Sequence, residues 1–117
     1  MAFRCLIVDD SDDFLASATR LLEAQGVEVV ACATNGDAAV RFAAALAPDV
    51  ALVDVQLGEE DGIQLARELE AQVPSLRAIL ISAYDFEDVG ELIAGGPAVG
   101  YLPKRSLGAA AIEQLLR

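Results

Sequence analysis

Cys5-Leu6-Ile7-Val8-Asp9-Asp10 is an unbroken apolar run that stops on two adjacent carboxylates. The run has the length of a buried strand, and its apolar residues do not alternate with polar ones, which suits a strand covered on both faces. Four similar runs follow: Val27-Glu28-Val29-Val30, Val50-Ala51-Leu52-Val53, Ala78-Ile79-Leu80-Ile81 and Val99-Gly100-Tyr101-Leu102. Between them, apolar residues recur at helical spacing. Leu15, Ala18 and Leu22 share one face, as do Ala39, Phe42, Ala43 and Leu46, and then Ile63, Ala66, Leu69 and Val73. Val89, Leu92 and Ile93 form a shorter stripe, and Leu107, Ala111 and Leu115 repeat every four residues near the end. Turn signals separate these elements at Gly26, Asn35-Gly36, Pro48, Pro74 and Gly95-Gly96-Pro97.

Strands that alternate with helices imply an α/β fold, here a doubly wound five-stranded parallel sheet with five helices on its two faces. Glu28 suits an edge position for the second strand, in keeping with the order 2-1-3-4-5. The 117 residues fit one domain over 1–117, without a long linker, low-complexity tract or internal repeat. A hydrophobic fraction of 55% excludes a disordered tail. No apolar run approaches the ~20 residues of a membrane span. No basic segment and cleavage site opens the chain, so a secretory leader is not expected. Cys5 and Cys32 lack a spacing pattern and read as reduced core thiols of a cytoplasmic protein. The net charge of -11 offers a poor footprint for nucleic acid. Solubility explains much of that charge, but the order of the acids sets a few of them apart.

The first run ends at Asp9-Asp10, the third at Asp54 and the fourth at Ser82, while the fifth meets Lys104 after Pro103. In open parallel sheets, ligands bind outside the carboxyl ends of the strands. One rim would therefore receive three carboxylates, a hydroxyl and an ammonium. Any one of these residues alone reads equally well as a cap, a turn residue or a solvated loop side chain. Asp12 and Asp13 fit the first turn of a helix, where acids favour the dipole.

Carboxylates crowded together repel; two unit charges ~4 Å apart cost ~4 kcal/mol at an effective dielectric of 20. A proton or a cation relieves this. An all-oxygen set without Cys or His favours a hard ion, Mg²⁺ or Mn²⁺. With such an ion, Lys104 and Ser82 are suited to hold the three oxygens of a phosphoryl group, and Asp54 is suited to accept it.

Asp9-Asp10, Asp54, Ser82, Tyr101 and Lys104, in this order and at these strand ends, resemble the signature of response-regulator receiver domains, the CheY-like family of two-component signalling. Gly62 also falls where that family usually has glycine, and the resemblance covers nearly the whole chain. It implies a flavodoxin-like sheet and Mg²⁺-dependent phosphoryl transfer to Asp54 from a histidine kinase or a histidine phosphotransfer protein. By the same resemblance, Asp10, Asp54 and the Gln56 backbone carbonyl ligate the ion, and Asp9 holds it through water. Ser82 and Lys104 contact the phosphoryl oxygens, Tyr101 is the switch aromatic, and Phe14 at the start of the first helix docks the kinase. The face that changes comprises the fourth helix, fifth strand and fifth helix, from about Asp85 to Arg117. Its partner is an effector domain, an output protein or a second copy of the chain, with no direct contact to nucleic acid or membrane. The chain is expected to promote its own phosphorylation and dephosphorylation rather than act as a conventional enzyme.

Two positions depart from the family. Gly58 stands where proline is frequent, which predicts a less restrained loop. Arg105 follows Lys104 where a proline with a cis bond is common; a Lys104-Arg105 cis bond would cost ~3 kcal/mol, so trans is expected. The alternative reading is a pseudo-receiver, a docking module that works without phosphorylation; the intact acids, hydroxyl and lysine argue against it. A haloacid-dehalogenase-like phosphatase needs a second acid two residues after the nucleophile, where this chain has Gln56. A nucleotide-binding enzyme lacks its Gly-rich loop here.

Overall fold

The computed structural model describes residues 3–83 and 100–117. The expected stripe at Val89, Leu92 and Ile93 and the turn at Gly95-Gly96-Pro97 lie outside the described residues. The elements run β1 (Arg4–Val8), α1 (Asp12–Ala24), β2 (Glu28–Ala33), α2 (Gly36–Leu46), β3 (Val50–Asp54), β4 (Gln56–Leu57), β5 (Glu60–Asp61), α3 (Gly62–Gln72), β6 (Arg77–Ser82), β7 (Gly100–Pro103), a 3₁₀ turn (Lys104–Ser106) and α4 (Ala109–Leu116).

Five strands form one parallel sheet in the order β2-β1-β3-β6-β7. Counting only its own strands, this is the expected 2-1-3-4-5, a flavodoxin-like architecture. Four α-helices appear among the described residues against five expected. The side-chain period of two along each strand divides the core into two layers. Leu6, Val8, Ala51, Val53, Ala78 and Leu80 face α2 and α3, where they meet Ala39, Ala43, Leu65, Ala66 and Leu69. Cys5, Ile7, Leu52, Ile79, Ile81 and Leu102 face the other way, against Leu15, Ala18 and Leu22 of α1 and Ile112 of α4. Unbroken apolar runs were necessary because both faces of each central strand are covered.

Local differences from the sequence reading have physical reasons. The second strand starts one residue later and continues to Ala33. Val27, read as strand, is instead buried just ahead of it, and the register with β1 slips between Cys5 and Leu6. Phe42, expected on the buried stripe of α2, is 37% exposed. Ala39 and Ala43 let the helix approach the sheet closely, and the larger ring is left at the margin. Leu107 is buried but precedes α4, in which Ile112 is the fully buried residue.

Residues 56–61 form a two-stranded antiparallel hairpin, which the sequence reading did not foresee. Gly58 has a φ of +60°, the left-handed value that glycine adopts without penalty. Proline, fixed near −65°, does not fit that backbone. The loop expected to be loosely restrained is thus a paired turn that uses glycine for its geometry.

Candidate functional site

The site lies at the carboxyl ends of β1, β3, β6 and β7. Parallel register does the first part of the assembly. Val8 pairs with Val53, so Asp9 and Asp54 follow side by side on adjacent strands. Asp54 pairs with Ile81, and Ser82 with Pro103, which leads directly into Lys104.

The two buried acids are held by backbone. The Asp9 amide donates to Ala33 O at 3.0 Å, and Asp9 Oδ1 accepts from the Ser11 amide at 2.9 Å. Ser11 then caps α1 by accepting from the Phe14 amide at 3.2 Å. Asp12 and Asp13 occupy the first turn, as expected. Asp54 Oδ1 accepts from the Gln56 amide at 3.1 Å. Gly62 opens α3 and donates to Val55 O at 3.0 Å; a Cβ at this position would overlap the Asp54 carbonyl oxygen. The glycine is therefore required for space and lets α3 begin directly against the end of β3.

Lys104 supplies the counter-charge. Its Nζ lies 2.5 Å from Asp9 Oδ2 and 3.3 Å from Asp54 Oδ2. The Asp54 contact is a hydrogen bond. The shorter Asp9 contact is an ion pair without hydrogen-bond alignment, so Asp9 Oδ2 remains a buried oxygen with no hydrogen-bond partner. Burial pushes the Asp54 carboxyl above its usual range, while the Gln56 amide and Lys104 pull it back only partly. Burial acts to lower Lys104, but the Asp9 and Asp54 carboxylates outweigh it and raise the ammonium above its ordinary value.

Asp9, Asp10 and Asp54 each offer an oxygen, and these atoms lie within 4.8 Å of one another. Asp10 is exposed at the mouth, whereas Asp9 and Asp54 are buried. An all-oxygen set whose buried Asp9 Oδ2 is met only by the Lys104 ammonium among the described contacts fits a hard divalent cation. Gln56 contributes its amide to Asp54 and pairs with Asp61 in the hairpin. Ser82 is buried at the end of β6. Tyr101 pairs with Leu80 across β6 and β7, packs on the α2–α3 layer and is half-buried. Alternation places Ser82 on the same face of the sheet as Tyr101. No cis peptide bond occurs among the described residues, Lys104–Arg105 included.

The structure brings Phe14 to this site in a way the sequence reading missed. Its half-buried ring lies under the Lys104 ammonium, with Nζ 4.3 Å from the ring centroid. Ser11 was also missed as a cap, although a serine directly before an apolar helical stripe is a start signal.

The family model for the response regulator receiver domain matches residues 5–117. The chain is 35% identical over 108 residues to a protein-glutamate methylesterase/protein-glutamine glutaminase of Alkalilimnicola ehrlichii, covering 90% of this chain and 27% of that protein. It is 30% identical over 115 residues to the response regulator GacA of Pseudomonas viridiflava, covering 97% of this chain and 53% of that one. These curated relatives thus extend well beyond the length matched here. Among solved structures, the receiver domain of the putative response regulator NarL from Mycobacterium tuberculosis superposes with a TM-score of 0.82 at 31% identity, over 98% of this chain and 94% of that one. A response regulator protein from Burkholderia pseudomallei, solved with a phosphorylated aspartic acid, a calcium ion and citrate, gives 0.79 at 27% identity, over 97% of this chain and 64% of that one.

Proposed function

The chain belongs to the response regulator receiver domain family, and from that premise we propose that it takes a phosphoryl group onto Asp54 and changes shape in response. The observation that carries this reading is the meeting of Asp54 with Lys104, 3.3 Å apart, beside the paired acids Asp9 and Asp10. The donor is a histidine kinase or a histidine phosphotransfer protein. An Asp54 oxygen attacks phosphorus, the new P–O bond forms, and the P–N bond to the donor imidazole breaks. The Gln56 amide and Lys104 favour the ionised, nucleophilic form of Asp54 against the effect of burial. Mg²⁺, or Mn²⁺ in its place, would be held by Asp9, Asp10, Asp54 and the Gln56 backbone carbonyl, and when bound it neutralises charge on phosphoryl oxygens. In its presence the chain promotes its own phosphorylation and dephosphorylation.

Ser82 and Lys104 bind phosphoryl oxygens, and Tyr101 follows Ser82 on the same face of the sheet. The responding surface includes β7 and α4 and acts on an effector domain, an output protein or a second copy of the chain. Phe14, at the mouth of the site, also serves kinase docking. The free thiols Cys5 and Cys32 fit a reducing cytoplasmic setting.

Intact-mass measurement after incubation with acetyl phosphate and Mg²⁺ tests the reading. One added phosphoryl group is expected on the wild type and none on Asp54→Asn. No uptake by a folded wild type would favour a phosphorylation-independent interaction module, and equal uptake by both would remove Asp54 as the acceptor.

A further inference from the structure

Phe14 and Lys104 meet although they come from opposite ends of the chain. The ring-to-ammonium distance of 4.3 Å is well inside the range at which an aromatic face attracts a cation. The Lys104 side chain is only 21% exposed, so bulk water screens the contact incompletely. Both partners are anchored. The Phe14 amide is tied to Ser11, and Ser11 to Asp9 Oδ1, so the chain of bonds that sets Asp9 also sets the base of the ring. Pro103 ends β7, and Lys104 opens the 3₁₀ turn whose carbonyl accepts from the Leu107 amide at 3.2 Å.

The other two contacts of the ammonium have a different character. Both are to carboxylates, Asp9 and Asp54, which are the groups whose charge environment changes when a cation binds or a phosphoryl group arrives. The ring is an uncharged partner that stays the same through those changes. A phenyl ring also has no polar atom with which to ligate an ion or bind a phosphoryl oxygen, so its contact with the ammonium is its link to the site.

We propose that Phe14 is a positioning residue for phosphoryl transfer, an aromatic platform that keeps the Lys104 ammonium aimed into the acid pocket while its carboxylate partners are exchanged for phosphoryl oxygens. The role rests on the reading of Asp54 as acceptor and is separate from kinase docking, because it operates whatever the donor. It also gives the loop with Arg105 after Lys104 a means of aiming the lysine that depends on side-chain contact.

Two measurements test it. In the unphosphorylated protein, the Lys104 ε-methylene protons should be shifted upfield in the NMR spectrum by the ring, and Phe14→Leu should abolish that shift. Resonances at ordinary lysine positions in the wild type would overturn the proposal whatever Asp54 does. The second measurement is the rate of labelling by acetyl phosphate with Mg²⁺, a donor that needs no protein docking, at a temperature where circular dichroism shows every variant folded. Phe14→Leu keeps apolar bulk and should lower the saturated rate about threefold to tenfold, while Phe14→Tyr, which keeps the ring, should restore it to within about twofold of wild type. A Phe14→Leu rate equal to wild type, or a Tyr variant as slow as Leu, would overturn the platform. Failure of the wild type itself to label would strike the acceptor assignment instead.

Discussion

Gly62→Ala should be far more damaging than a single methyl suggests. The added Cβ would overlap the Asp54 carbonyl oxygen and lie only 2.8 Å from both Asp54 C and Val55 O. All three atoms are backbone, so no side chain can swing away. Relief requires the start of α3 to retreat from the end of β3. That retreat strains or breaks the 3.0 Å bond from the Gly62 amide to Val55 O, worth about 1 kcal/mol net. Overpacking at a close backbone contact adds about 1–3 kcal/mol. Alanine returns some helix propensity, at most about 1 kcal/mol, and Gly62 sits at the first helical position, where little of that is realised. The balance is a destabilisation of about 2–4 kcal/mol. Urea denaturation should show a lower midpoint with an unchanged slope. Acetyl phosphate labelling should also slow, because the displaced backbone carries Asp54. A loss below about 0.5 kcal/mol would refute the argument that α3 begins in contact with the end of β3.

Asp10→Asn removes one of three crowded carboxylates, so it should raise the melting temperature without metal while weakening Mg²⁺ binding about tenfold or more by titration calorimetry. The Cys5 thiol is buried and pushed up to about 12 by desolvation, with Cys32 adding to the shift. Alkylation of Cys5 at neutral pH should therefore wait for unfolding and follow the urea transition when read by mass spectrometry, and fast labelling in the native protein would contradict its burial. Ser82→Ala should leave ion binding intact but restrict the amide shifts induced by beryllofluoride to residues near Asp54, whereas wild-type shifts should extend into β7 and α4.

The strand ends were legible because burial on both faces forces an apolar run, and its first polar residue then stands out. Asp9, Asp54 and Ser82 were visible in this way. Lys104 was visible through its place after the fifth run. The second strand was harder to read because its last residues, Ala31, Cys32 and Ala33, have little β propensity, and Val27 is apolar for a different reason: it fills the core ahead of the strand. The β4–β5 hairpin left almost no periodic trace, since each strand has two residues and the turn depends on the φ of Gly58. The contact between Phe14 and Lys104 is a product of tertiary folding. Helical spacing identifies Phe14 as lying beside the Leu15–Ala18–Leu22 stripe, but it does not reveal which loop crosses above it.

The parallel register explains why a lysine must reach this rim. Pairing Val8 with Val53 delivers Asp9 and Asp54 together on adjacent strands, with Asp9 fully buried, so their backbones cannot move apart without breaking the sheet. The ammonium that offsets their repulsion comes from beyond β7, at the far edge of the sheet. In the unphosphorylated protein this makes Lys104 a tie between the acid pocket and the chain segment leading to α4. Its carbonyl accepts from Leu107, which is buried in the α1–α4 layer, and two residues later Ala109 donates to Gln25 Oε1 at the end of α1. A phosphoryl group on Asp54 would give the ammonium new oxygens to follow, and any shift of Lys104 would load that short path first. The electrostatic solution to crowding two acids is thereby also a mechanical connection. It predicts that Lys104→Met, which keeps length but loses charge, would uncouple α4 from the state of Asp54 even where labelling persists, and unchanged beryllofluoride shifts in α4 would rule out this connection.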